Sequence, residues 1–225
     1  MVRPATRQSE HRAPGIARRA RLLAAARDLL RTHDLDALSL ADVAAKARIP
    51  KGSAYHYYSD SMDLYAQLLA VIEDELLADL RRSLRGCVID TWPDVVAALI
   101  RRGVRFFIAD PAARQLIIGP KTPPELKLRD RQNDIRIGAV FEQQIGAGFA
   151  LAGHPVRTTV FFRAVEIADL MFCLSMLEHG TITEEMAEEA IRATVGYLRS
   201  HLPEVLPRRA RRSAARAERP QVRLQ

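Results

Sequence analysis

Apolar residues recur every three or four positions along most of this chain, and no stretch alternates in the two-residue rhythm of a strand. Leu22, Leu23, Ala26, Leu29 and Leu30 keep the helical spacing while Arg18, Arg19, Arg21, Arg27 and Arg31 fill the positions between, so a first amphipathic helix is expected from Ile16 to near His33. Ser39 stands where an N-cap belongs, with Asp42 three residues on as its capping-box partner. Val43, Ala44 and Ala47 then give a second helix of about two turns. Ile49-Pro50 interrupts it, because proline disfavours helical backbone in the residue before it, and Lys51-Gly52 opens a third helix through Tyr58. Ser59 or Asp60 can cap a fourth, long helix in which Leu64, Leu68, Ile72, Leu76, Leu80 and Leu84 repeat every four residues and Gly86 supplies the stop.

Beyond Gly86 the helical pattern continues. Thr91-Trp92-Pro93 starts a helix carrying Val95, Val96, Leu99, Ile100, Val104, Phe107 and Ile108; Asp110-Pro111 ends it and begins a short one through Ile118. After the loop of residues 119–124, the segment Glu125 to Leu151 is charged at its start and apolar from Ile137 onward, which predicts one wet end and one buried end. His154-Pro155 marks a turn. Thr158 to His179 is apolar on nearly every face, the mark of a helix covered on two sides. Gly180 stops it, Thr183 caps the next with Glu184 and Glu185 in its first turn, and Ile191, Val195 and Leu198 face inward until Pro203.

Charge divides the chain. Residues 1–60 carry 11 Lys and Arg against 6 Asp and Glu, residues 61–202 carry 16 against 19, and residues 203–225 carry 7 against 2. A polyanion-binding N-terminal region on a near-neutral body fits this distribution. The boundaries that follow are a flexible basic arm over 1–15, a DNA-binding unit over 16–60, a helical body over 61–202 and a basic, disordered tail over 203–225. Cys87 and Cys173 lack metal-ligand spacing and are expected to be inert packing residues, with no metal site. No apolar run approaches the ~18 residues of a membrane span, so a cytoplasmic protein without a membrane partner is expected.

The stretch Ser39–Leu64 carries the chemistry. Small apolar residues at Val43, Ala44, Ala47 and Ile49 let two short helices pack closely, as a helix-turn-helix requires. Lys51 supplies phosphate charge and Gly52 allows close backbone approach. Ser53, Tyr55, His56 and Tyr57 offer hydroxyls and a ring nitrogen to phosphates or base edges. Burying all of these polar aromatics in a small core would leave too many groups without partners, although Tyr58 is expected inside.

These residues resemble the TetR family of bacterial transcriptional regulators through Ser39-Leu40-Ala41-Asp42-Val43-Ala44, Ala47, Ile49, Lys51-Gly52-Ser53, Tyr55-His56-Tyr57-Tyr58 and Asp63-Leu64. The resemblance implies an all-α fold: an N-terminal three-helix helix-turn-helix domain joined to a larger helical ligand-binding and dimerisation domain. It implies DNA contacts at Ser39, Ala41, Lys51, Gly52, Ser53, Tyr55 and Tyr57, with Ala54 turned inward. The chain departs from the family pattern at Arg48, where a turn glycine is usual, at Pro50, where a capping Ser is usual, and at Ser61, where a phosphate-contacting Lys is common. Arg3, Arg7 and Arg12 of the arm offer substitute contacts to phosphate or the minor groove.

One such unit reads few base pairs, so two copies on a palindromic operator are expected. Leu170, Cys173, Leu174, Leu177, Ile191, Val195 and Leu198 give a candidate four-helix dimer interface. The resemblance also implies an effector pocket beyond Gly86, worked by the Leu64–Leu84 helix as a lever. Its candidate lining is Phe106, Ile117, Phe141, Ile145, Phe149, Phe162, Glu166 and Asp169. The last two are carboxylates suited to a cationic or hydroxylated ligand, although Arg163, three residues before Glu166, suggests a solvated ion pair. The expected function is a homodimeric repressor released from its operator by a small, largely apolar ligand, with control by a protein partner as the alternative. No cofactor is implied. A helical enzyme is the remote reading: Gly146-x-Gly148 lacks the third glycine and the preceding strand of a dinucleotide site, and no catalytic triad or metal cluster stands out.

Overall fold

The computed structural model describes residues 12–151 and 158–209, and within them the chain is helical throughout. The helices are α1 (Arg12–Leu29), α2 (Leu40–Lys46), α3 (Lys51–Tyr57), α4 (Ser61–Arg81), α5 (Trp92–Ala109), the short α6 (Pro111–Ala113), α7 (Pro124–Gly148), α8 (Thr158–His179) and α9 (Glu184–Arg199). A 3-10 turn, Leu35–Ala37, lies between α1 and α2, and a π turn, Arg114–Ile118, continues α6. The expected turn at His154-Pro155, residues 1–11 of the arm, with Arg3 and Arg7, and residues 210–225 of the tail lie outside the described residues.

Helix starts follow local capping chemistry. The Ser39 hydroxyl accepts from the Asp42 amide while the Asp42 carboxylate accepts from the Ser39 amide, closing both sides of a capping box. Asp60 rather than Ser59 caps α4, accepting from the Asp63 amide at 2.8 Å. Thr91 with Asp94 opens α5, and Thr183 accepts from the Met186 amide to open α9. Gly180 follows α8 with φ of 68°, the left-handed conformation that glycine adopts without strain.

Four boundaries differ from the sequence pattern. Helix α1 begins at Arg12, so residues 12–15 belong to it rather than to the arm, and it ends at Leu29, not near His33. Helix α4 stops at Arg81, well before Gly86, because side chains from elsewhere satisfy its last carbonyls. Arg102 on α5 donates to Asp79 O at 3.0 Å and Arg82 O at 2.7 Å, and Gln144 on α7 donates to Leu80 O and Arg81 O, both at 3.2 Å. Residues 203–209 dock on the body instead of beginning a disordered tail: Leu206 is buried, the Trp92 indole donates to Pro203 O at 2.9 Å, and Phe149 and Arg208 form an isolated β-bridge.

Behind the N-terminal head formed by α1–α3, α4 runs into the body with Leu64, Leu68, Leu69, Ile72, Leu76, Leu77 and Leu80 buried. In the body α8 packs between α7 and α9, which accounts for its nearly continuous apolar surface. The α7–α8 crossing is closest at Gly138. A methyl group there would stand 2.7 Å from Phe162 N and 2.9 Å from Phe161 C, both backbone atoms of α8. No helix of the described residues is long and apolar enough to cross a membrane.

Gly138→Ala should therefore force these two helices apart, lowering stability by about 1–3 kcal/mol despite the better helix propensity of alanine. Thermal melts check this, and an unchanged or raised Tm would show that the crossing relaxes freely.

Candidate nucleic-acid interface and regulatory cavity

Ala54 is fully buried and seats α3 against α2, as expected from its small side chain. The opposite face of α3 carries Lys51, Gly52, Tyr55 and His56, all exposed, with Ser53 and Tyr57 half-buried beside them. Lys51 Nζ lies 5.8 Å from the centre of the Tyr55 ring, so that ring is 46% exposed and backed by a cation. Ser39 is exposed at the start of α2 and Ala41, two residues on, is half-buried. Tyr58, as expected, belongs to the core at 1% exposure. The eight residues read from the sequence thus lie on or at the start of two adjoining short helices, with Ser39, Lys51, Gly52, Tyr55 and His56 exposed.

Arg48 adopts φ of 53°, the sole non-glycine residue with positive φ among the described residues. Arg21 on α1 reinforces this turn by donating to the carbonyls of Ala47 and Arg48. The Ile49 amide donates to Ala44 O at 2.9 Å and Ile49 is buried, so the turn is closed on both sides. Pro50 caps α3 without a side-chain bond, leaving only its carbonyl to receive the Ser53 and Ala54 amides. Ser61 is the first residue of α4 and is half-buried. Sequence reasoning missed the role of Arg19, whose guanidinium lies 5.5 Å from the centre of the Tyr57 ring and adds a cation to the same face.

A second unforeseen feature is the joint between head and body. The Gln115 amide, on the π turn, accepts from Leu35 N at 2.8 Å and donates to Leu30 O at 2.7 Å and His33 O at 2.8 Å. Arg27 on α1 pairs with Glu75 on α4 at 2.6 Å and with Asp110 at 2.7 Å, and these contacts raise its affinity for the proton. Lys121 pairs with Asp34 and Asp36, while the Tyr65 hydroxyl donates weakly, at 3.4 Å, to Leu35 O and Leu38 O. The loop between α1 and α2 is thereby held to the segment between α5 and α7.

That segment also walls a cavity. Ile117, Phe141 and Asp169 line a narrow apolar space of about 40 Å³ between α4, α5, α7 and α8, together with Phe107, Phe172, Asp130 and Asp134. The same three aspartates separate it from a wider cleft of about 550 Å³ that Glu166 lines with Arg131, Leu170 and Tyr197. The other expected lining residues are elsewhere. Phe106 is turned about 100° from Phe107 and lines a groove with Arg27 and Asp110. Ile145 and Phe149 are buried in packing, and Phe162 is half-buried and lines neither space. Glu166 pairs with Arg131 on α7 at 3.3 Å, not with Arg163 on its own helix.

The buried start of α7 corrects the expectation of a wet end: Asp130, Asn133 and Asp134 are 4%, 3% and 2% exposed. Their signal was available, since Leu126, Asp130, Asp134, Ile137 and Phe141 fall on one stripe. Burial is the first cause of a strong upward pKa shift at each of Asp130, Asp134 and Asp169, and neighbouring carboxylates push them further. Lys127 opposes the shift at Asp130 and Asp169, but its amine is bonded to Ile117 O and lies 3.6 Å from Cys173 Sγ. Cys173 is half-buried, whereas Cys87 is exposed and so is not a packing residue.

The expected dimer residues divide. Leu170 and Leu177 on α8 are exposed, at 54% and 68%, and Cys173 and Leu174 are half-buried. Ile191, Val195 and Leu198 are instead in the protomer core, because the inward face of α9 is taken by α5 and α8.

Glu73, on α4, is buried and pushed up to about 7 by loss of hydration, against the pull of Arg129 and Arg136. A carboxyl whose folded pKa is raised favours the folded state below its ordinary value of 4.5, and that contribution is lost as pH rises to about 7. Glu73→Gln should therefore be more stable than the parent at pH 8, by on the order of 2 kcal/mol, with the difference vanishing near pH 4. Thermal melts across this range check it; a difference independent of pH would contradict it.

Comparison with known proteins places this geometry. Residues 22–68 match the family described as bacterial regulatory proteins, tetR family, and residues 90–202 match the tetracyclin repressor-like C-terminal domain. A TetR-family transcriptional regulator from Streptomyces coelicolor is 22% identical, with 82% of this chain and 99% of that one covered and a TM-score of 0.63. A TetR transcriptional regulator from Rhodococcus sp. RHA1 is 19% identical, with 81% and 95% covered and a TM-score of 0.54. At these identities the two structures establish a common fold. No curated protein matches the chain. With a DNA-reading head matching one family model and half of the chain matching the other, the protein belongs to the TetR family of DNA-binding transcriptional regulators, which are not enzymes.

Proposed function

We propose that the chain acts in the cytoplasm as a homodimeric repressor that grips a palindromic operator and releases it when a small, largely apolar molecule occupies the body. The observation that carries this reading is the joint at Gln115. Its side chain holds the head loop, and two residues further on Ile117 walls the internal cavity. A ligand that binds one setting of the π turn better than another shifts the orientation of the head by that difference in affinity. The exposed strip of Leu170 and Leu177, flanked by Cys173 and Leu174, supports a partner protomer on α8. In this reading Ser39, Ala41, Lys51, Gly52, Ser53, Tyr55, His56 and Tyr57 meet the DNA, Lys51 at phosphate and the α3 side chains in the major groove.

The test is a gel-shift titration of the full chain against the DNA flanking its own gene, over a range of salt. One specific site should bind two chains. Lys51→Ala should weaken binding to all sequences several-fold and reduce the salt slope by about two, one phosphate per protomer. Binding without sequence preference, a single chain per site, or an unchanged salt slope would each contradict the reading.

A further inference from the structure

Buried carboxylates ordinarily have a cationic partner, because stripping a charge of water without one is costly. Asp110, the most covered acid in an ion pair among the described residues, has such a partner in Arg27, at 2.7 Å. Asp130, Asp134 and Asp169 are different. Among the described residues no basic group makes an ion pair with any of them, though the first two are more than nine-tenths buried. Two independent observations accompany the cluster. Glu73, also more than nine-tenths buried, approaches it from α4, close enough to Asp130 to raise that carboxyl, and its Oε1 has no hydrogen-bond partner. The aspartates also form a partition, with an open cleft on one side and an apolar cavity floored by Phe107, Phe141 and Phe172 on the other.

We propose that this partition is the binding site for an organic cation, a protonated amine whose nitrogen is received by Asp130, Asp134 and Asp169 and whose apolar chain enters the cavity behind them. One carboxylate oxygen from each aspartate lies within 4.8 Å of the others. Three oxygens at ordinary charge-assisted distance from one ammonium nitrogen stand roughly 4.6 Å apart, so a single nitrogen can satisfy all three. An inorganic cation would use the carboxylates alone; the aromatic floor beyond them is complementary to carbon. The free space there, about 40 Å³, suits a short unbranched chain. Entry is from the wider cleft, which Lys127, Arg131 and Arg163 line as well as four acids, so preference for a cation is set at the aspartates of the partition and not by the field of the cleft. This deepens the effector role proposed above and rests on it: the small molecule is an amine, and its nitrogen binds within reach of the Lys127 that holds the π turn through Ile117 O.

The probes are n-hexylamine, n-hexanol and hexanoate, titrated by calorimetry into the full-length protein at neutral pH, with Mn²⁺ in a parallel series. The amine should bind one per protomer and at least ~10-fold more tightly than the alcohol, with no binding of the acid. Asp130→Asn/Asp134→Asn should remove that preference, and Asp169→Asn, on the opposite helix, should weaken it independently if the double variant does not fold. Equal binding of amine and alcohol, amine binding retained in the folded variants, or tight Mn²⁺ binding with none of the amine would overturn the proposal. Operator release is measured separately. Amine binding that leaves operator affinity unchanged would sink the effector role while leaving the site, whereas no amine preference in a protein that still binds its operator would sink the site alone.

Discussion

Three hydrogen bonds from one glutamine hold the two halves of this protein in register. Gln115 stands on an irregular turn, and its amide satisfies two carbonyls and one amide of the loop that closes the head. Those backbone groups lie past the end of α1 or at the short 3-10 turn, where regular helix no longer pairs them. Arg27 and Lys121 add charge to the same seam. The Lys121 pairs are exposed and individually weak, and Arg27–Asp110 is partly buried, so direction comes from the amide geometry and the charges limit how far the seam opens. Because the head reads DNA through short helices, a small rotation at this seam moves Lys51 and Tyr55 together.

The body contains the opposite kind of element, a group of carboxyls, the buried Asp130 and Asp134 with the half-buried Asp169, with which no basic group among the described residues makes an ion pair. Such an arrangement lowers stability, and its location between an apolar cavity and an open cleft gives that loss a use: a ligand that satisfies the acids gains what the fold gave up. Lys127 sits between the two systems. It opposes the charge of Asp130 and Asp169 while bonding the carbonyl of Ile117, two residues from the glutamine of the seam. Under the proposed effector role, a change in charge at the partition would reach the turn next to the head through this contact.

Much of the fold could be read from local sequence because its signals are local. The capping pair Ser39 with Asp42, the helix start at Thr91, the Asp60 cap, one of the two the sequence offered, and Gly180 each act within a turn, and all appear in the structure. The exposure of Lys51, Tyr55 and His56 opposite the buried Ala54 followed from the same kind of reasoning. What escaped depends on partners distant in sequence. The end of α4 is set by Arg102 and Gln144, not by Gly86. The bonds of Gln115 join residues 80 or more positions apart, and a glutamine beside an apolar run carries no mark of them. Asp130 and Asp134 were misread because charge was taken for exposure, although both continue the apolar stripe of α7. Ile191, Val195 and Leu198 show the converse error: an apolar helical face does not say whether its partner is the same chain or another.

The central claim is that the body sets the head through the π turn, and amide hydrogen exchange in Lys127→Met tests it most directly. The substitution keeps the bulk of the side chain, touches no residue of the head and removes the bond to Ile117 O. Faster exchange should appear at residues 114–118 and also across residues 30–38 of the head loop, with the α7–α8 crossing near Gly138 unchanged. Exchange altered only around residue 127 and the partition, with the head loop as protected as in the parent, would contradict the account.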